Sequence, residues 1–115
     1  MASLIPEQAA FLLDFGKLII YCTEVMGLTV TSGELLRPVE MQQIYVKTGR
    51  SKTMASNHLR KLAGDLNFFD KNGKYICTVE ALKDAGKYWE SLNPKNRWGG
   101  NFKNFKDVPH FERNV

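Results

Sequence analysis

Leu62-Ala63-Gly64-Asp65-Leu66-Asn67-Phe68-Phe69, running on through Asp70-Lys71-Asn72-Gly73-Lys74 to Tyr75-Ile76-Cys77, reads as a strand, a turn and a returning strand. Side chains alternate along a strand, so Ala63, Asp65, Asn67 and Phe69 share one face and Leu62, Gly64, Leu66 and Phe68 the other. Asn72-Gly73 is the turn signal of a tight hairpin. Downstream, Thr78 is placed to cap a helix over Val79 to Leu92, whose Leu82, Ala85, Tyr88, Trp89 and Leu92 form an apolar stripe that Asn93-Pro94 ends. Residues 95–106, rich in Asn, Lys and Gly, read as an irregular loop, and Val108 to Phe111 as a last short strand.

Upstream, Phe11, Leu12, Phe15, Leu18, Ile19, Cys22 and Met26 recur at spacings of three and four. Residues 7–26 are therefore expected to form an amphipathic helix, with Pro6 in its first turn, Gly27 after its end, and Gln8, Asp14 and Lys17 off the apolar stripe. Leu28 to Ser32 has the β-branched alternation of a short strand. A second helix is expected from Pro38 to Gly49, and a polar loop over residues 49–57. No internal repeat is present. Helices alternating with short antiparallel strands give an α+β domain, a small antiparallel sheet with flanking helices.

The chain has 115 residues, 16 Lys and Arg against 12 Asp and Glu, and a net charge of +4. That length suits a single domain over residues 1–115, able to bury about two thirds of its unfolded surface without disulfides or a structural metal. Apolar content of 43% and charged content of 24% exclude the disordered and low-complexity classes. Asp14 and Lys17 interrupt the apolar run from Phe11 to Ile20, so it is too short and too charged to span a bilayer. The first residues carry no Lys or Arg ahead of that run and no small-residue cleavage pattern, so synthesis in the cytoplasm without a secretory signal is expected. Cys22 and Cys77 lack metal-site spacing and read as two reduced thiols in apolar surroundings.

Only two histidines occur, each near carboxylates. His58 precedes Asp65 by seven residues; His110 follows Asp107 by three and precedes Glu112 by two. Imidazole and carboxylate are suitable zinc ligands, and three protein ligands leave a position for water. From spacing alone, surface or core histidines remain the competing reading.

Ser56-Asn57-His58-Leu59-Arg60-Lys61-Leu62-Ala63-Gly64-Asp65 matches S-x-H-x-x-G-x-A-x-D at Ser, His, Ala and Asp, and Asp107-Val108-Pro109-His110 matches a downstream D-x-x-H element. The sequence resembles the zinc peptidase family of D-Ala-D-Ala carboxypeptidases and dipeptidases and phage L-alanyl-D-glutamate endopeptidases. Trp98-Gly99-Gly100-Asn101-Phe102 and His110-Phe111-Glu112 resemble the W-G-G-D-F and H-F-E segments of phage endolysins, and Arg37 falls at the upstream arginine position. Two departures are Lys61 in place of Gly and Asn101 in place of Asp. The resemblance implies a Hedgehog/DD-peptidase-like fold with a Zn2+ ion in the cleft, held by His58, Asp65 and His110. It further implies Asp107 as general base and Arg37 at the oxyanion or a substrate carboxylate. Ser56 would be a hydroxyl at or behind the substrate. Glu112 competes for the base role or else orients His110. Trp98 either lines the cleft or caps the core.

Nine of the sixteen positive charges lie in two acid-free segments, Lys47 to Lys61 and Lys95 to Lys106, beside these residues. Such a field attracts an anionic substrate, and stem peptides of peptidoglycan carry free carboxylates. The expected partner is thus the peptidoglycan stem peptide, with a monomeric enzyme, no membrane and no nucleic acid. The rival, nucleic-acid binding with Tyr45, Trp89 and Trp98 as stacking groups, has no motif behind it. The expected activity is L-alanyl-D-glutamate endopeptidase, with D-Ala-D-Ala carboxypeptidase second and a non-catalytic wall-binding module third. A phage-type lysin of this kind would act at the wall or periplasm, released by a separate pore-forming protein.

Overall fold

A computed structural model of the chain describes residues 3–35, 43–44, 46–49 and 57–115, with His58 described by its backbone only. Arg37, Tyr45, Ser56 and most of the expected second helix and polar loop lie outside these residues; Gln43, Ile44, Val46 and Lys47 are helical.

The architecture is α+β, as the sequence pattern predicts. Helix α1 spans Ile5–Ile20 and runs into one wider turn, Tyr21–Val25, before Gly27 adopts a positive φ of 70°. Strand β1 is Thr29–Ser32, β2 Ala63–Phe69, β3 Tyr75–Ile76, and helix α2 Val79–Leu92. Strand β4 is Asn96–Trp98 and β5 His110–Arg113. The sheet order is β1-β2-β5-β4, with β3 also on β2, and every pairing is antiparallel. No described helix is long and apolar enough to cross a membrane.

The hairpin forms where Asn72-Gly73 places it: Asp70 Oδ1 accepts from Asn72 N and Lys74 N at 2.9 Å each, and Gly73 takes φ 79°. Thr78 caps α2, its Oγ1 accepting from Ala81 N at 3.2 Å. Two readings need correction. Residues 95–106 are not loop throughout, since β4 and a single 3-10 turn, Gly99–Asn101, lie within them. The last strand is His110–Arg113 rather than 108–111. The causes differ: β4 forms because β5 lies beside it, and β5 continues through Glu112 and Arg113 because partners from distant segments satisfy these buried charges.

Arg113 is 1% exposed. Its Nε donates to Asn96 Oδ1 at 3.0 Å, an Nη2 donates to Asp14 Oδ2, and Nη1 lies 3.6 Å from Glu7 Oε2. A buried guanidinium is tolerable only when its donors are matched in this way. Asp14 therefore belongs to the buried side of α1, contrary to its expected place off the stripe, while Leu12 is exposed.

The core face of the sheet packs Gly64, Leu66, Phe68 and Phe111 against α1 and α2. Trp89 sits at its centre, edge-on to Phe11 at 5.5 Å and to Phe111 at 6.0 Å, and its Nε1 donates to the Glu112 carbonyl at 3.1 Å. Trp98 is 1% exposed, so of its two readings the core one holds; its Nε1 donates to Val108 O at 2.8 Å. Gly86 of α2 exists for that ring: a Cβ there would lie 2.1 Å from Trp98. Cys22 is buried, which pushes its thiol up to about 12, and both cysteines are free. Cys77 is exposed, contrary to the expectation of an apolar setting.

Candidate metal centre and active site

The face of the sheet opposite the helices carries the chemistry. Antiparallel register sets Asp65 of β2 opposite His110 of β5, and Ala63 opposite Glu112. Directly opposed residues share a face, so these side chains emerge together. Asp107 arrives from the loop before β5, fixed by two backbone bonds: its N–H donates to Gly99 O at 2.9 Å, and its carbonyl accepts from His110 N at 3.0 Å. Gly99 permits that approach, since a Cβ on it would meet Asp107 O at 2.0 Å.

Ligating atoms of Asp65, Asp107 and His110 lie within 4.8 Å of one another. His110 Nδ1 is 3.2 Å from Asp65 Oδ1 and 4.0 Å from Asp107 Oδ2, while Nε2 is 2.7 Å from Glu112 Oε1. Glu112 Oε2 accepts from Arg97 Nε at 2.8 Å and from Arg97 Nη2. A chain of contacts thus runs from Arg97 through Glu112 and the imidazole to the two aspartates. If Nε2 donates to Glu112, a neutral ring turns the Nδ1 lone pair toward two carboxylates. Three electron-rich groups facing one point require a cation, either a proton on Nδ1 or a metal ion. The donor set therefore fits a divalent metal of the imidazole and carboxylate class.

The electrostatics describe the same arrangement with the proton in place. Burial opposes charge on the ring, but hydrogen bonds and attraction from Asp65 and Glu112 outweigh it and push His110 up to about 9. Burial alone would raise Glu112; the hydrogen bonds and charges of His110 and Arg97 outweigh it and hold the carboxyl below its ordinary range.

Of the residues singled out in the sequence, Asp65, Asp107, His110 and Glu112 come together. His58 has its backbone in the short 3-10 helix Asn57–Arg60, which leads into β2. Arg37 and Ser56 lie outside the described residues. Trp98 sits on the core side of its strand, as above. Asn101 Nδ2 donates to Glu90 Oε1 of α2 at 3.1 Å. Lys61, where the motif has glycine, adopts φ 58°, so the backbone keeps the left-handed turn that glycine would take and the chain enters β2 unchanged. In residue order Arg97 is only one charge in a basic run. Pairing of Arg97 with Glu112 across β4 and β5 gives it a place, and that pairing was invisible while residues 95–106 read as loop.

A family profile described as D-alanyl-D-alanine carboxypeptidase matches residues 49–113. An L-alanyl-D-glutamate peptidase of Listeria phage A118 is 33% identical over 94 residues, covering 80% of this chain and 33% of that protein. The chain thus spans about a third of the length of this curated relative. The crystal structure of the Serratia marcescens L-Ala D-Glu endopeptidase ChiX superposes with a TM-score of 0.70 at 24% identity, covering 87% of this chain and 77% of that one.

Proposed function

The chain belongs to the D-alanyl-D-alanine carboxypeptidase family, and from that premise we propose that it is a zinc endopeptidase cleaving the L-alanyl-D-glutamate bond of the peptidoglycan stem peptide. The observation that carries the reading is the convergence of Asp65, Asp107 and His110 within 4.8 Å, with the far nitrogen of His110 held by Glu112. The names of the phage relative and of the Serratia enzyme support the choice of bond.

In this reading His58, Asp65 and His110 hold the metal. Zinc, when bound, supplies Lewis acidity and a water acidic enough to be deprotonated at neutral pH. Asp107 takes the proton of the attacking water at its carboxylate and returns it to the leaving amine. Exposure divides the two aspartates: the Asp107 side chain is 41% exposed and can meet water, while Asp65 is 22% exposed. Glu112 is a poor base because its side chain is 7% exposed and both its oxygens are engaged, one by His110 and one by Arg97. Its task is to fix the tautomer and the plane of the His110 ring. Arg37 would stabilise the developing oxyanion or a substrate carboxylate, and Ser56 would contact substrate.

The family description favours one second reading, removal of terminal D-Ala by a carboxypeptidase. Purified muropeptides incubated with the zinc-loaded protein, with fragments identified by mass, separate the two. Cleavage after L-Ala supports the endopeptidase, and release of D-Ala supports the carboxypeptidase. No zinc-dependent cleavage of either bond would leave a non-catalytic wall-binding or nucleic-acid-binding module.

A further inference from the structure

The open face of the sheet is not uniform on the two sides of the metal centre. Along β2, Ala63, Asp65, Asn67 and Phe69 point the same way, at a rise of about 3.3 Å per residue. On one side of Asp65, cross-strand pairing brings Glu112 beside Ala63 and Arg97 beside Glu112. On the other side it brings Thr31 beside Asn67 and Tyr75 beside Phe69. Arg97 and the Phe69–Tyr75 pair therefore stand at opposite ends of a row whose middle is Asp65 and His110.

The two ends differ in chemistry. The Arg97 side chain is 49% exposed, its Nε and Nη2 are committed to Glu112, and Nη1 has no hydrogen-bond partner among the described residues. Phe102 steadies it, with the guanidinium carbon 5.5 Å from the ring centre and the same ring 5.8 Å from the imidazole of His110. An anchored guanidinium with a spare donor facing solvent is a carboxylate site. Among the described residues the far end has no cation on its face: Phe69 and Tyr75 lie 5.6 Å apart, flanked by Thr31 and Asn67, and Asp70 of the adjoining turn is occupied by backbone N–H groups. Tyr75 is 46% exposed and lies opposite Phe69 in the β2–β3 register; burial first, then the charges of Cys77, Asp107 and Asp65, raises its hydroxyl pKa.

We propose that this face sets the direction in which the stem peptide binds: Arg97 takes the α-carboxylate on the D-glutamate side of the scissile bond, and Phe69 with Tyr75 takes the uncharged muramyl side. The assignment rests on the endopeptidase reading. That substrate is itself asymmetric, because D-glutamate carries a free carboxylate next to the scissile nitrogen while L-alanine is amide-linked to a neutral lactyl sugar.

Four synthetic substrates test it: the stem tripeptide with D-glutamate or its α-amide, each with and without an N-acetylmuramyl group on L-alanine. The zinc-loaded wild type is expected to prefer the free acid by about tenfold in kcat/KM, the scale of one charge-assisted hydrogen bond. Arg97→Gln should bring the acid-to-amide ratio near one, and Arg97→Lys should keep part of it. Tyr75→Ala should leave that ratio intact while removing the advantage of the muramylated substrates. Ratios between substrates do not depend on how much of a variant folds. Equal loss on acid and amide in Arg97→Gln overturns the assignment and leaves the endopeptidase reading standing; no cleavage of any substrate by the wild type overturns both.

Discussion

His110 Nε2 lies 2.7 Å from Glu112 Oε1, and the two residues are two apart on β5, so their side chains leave the strand on the same face. That contact determines which ring nitrogen faces Asp65 and Asp107. Glu112 is itself held from behind by Arg97. The metal centre thus depends on a buried support as much as on its own ligands, and the support makes the first prediction.

Glu112→Gln keeps the shape of the side chain but removes its charge, weakening its hold on the imidazole. Zinc affinity should fall about 10- to 100-fold, the usual effect of losing a carboxylate behind a ligating histidine. Competition with a chromogenic chelator reads this directly, and unchanged affinity would show that Glu112 does not orient His110.

Asp107→Asn should bind zinc nearly as well as the wild type yet turn over muropeptide about 100- to 10,000-fold more slowly, the range for losing a general base. Near-normal turnover in Asp107→Asn together with a dead, zinc-bound Glu112→Gln would reverse the two roles.

Protonation of His110 stabilises the metal-free fold. Its folded pKa, about 9, lies above the ordinary histidine value of 6.5, so the contribution is complete below pH 6.5 and is lost as pH rises through 9. Chelator-treated protein should therefore lose stability between pH 6.5 and 9, by an amount on the order of 2 kcal/mol, in urea titrations. His110→Gln should flatten that slope. A slope unchanged in the variant would place the proton elsewhere.

Lys61→Gly should stabilise the protein by about 1 kcal/mol, because Lys61 holds φ 58° and a residue with a Cβ is strained there. Glycine's freer unfolded chain offsets part of the gain. Thermal or urea unfolding measures it, and a loss of stability would mean that the lysine side chain contributes more than its backbone costs.

Gly86→Ala should cost about 1–3 kcal/mol, since the new methyl would overlap the Trp98 ring and force an overpacked core. Urea unfolding would show it. Full stability in this variant would mean that β4 can shift away from α2 without cost.

Much of this molecule is legible in residue order because its signals are local. The Asn72-Gly73 turn, the Thr78 cap, the alternation across Ala63 to Phe69 and the stripe on α2 each arise within a few residues, where backbone preference and burial periodicity act. The pairing of His110 with Asp107 and Glu112 is equally local. What residue order hides is any environment built by contacts distant in sequence. Strand β4 has three residues and no alternation of its own; it exists because β5 lies beside it. The basic run Lys95 to Lys106 looks free of acids, yet Lys95 pairs with Glu7 and Arg97 with Glu112.

The sequence by itself determined the α+β class, the hairpin, the capped helix and the set of acids and histidines from which a metal site could be made, since those follow from short-range geometry and side-chain chemistry. Only the tertiary structure decided that Trp98 is core, that Arg113 and Asp14 are a buried pair, and that Arg97 supports Glu112. The reason is dielectric as well as geometric: a charge can leave water only where a partner meets it, and chain folding alone determines where that partner comes from.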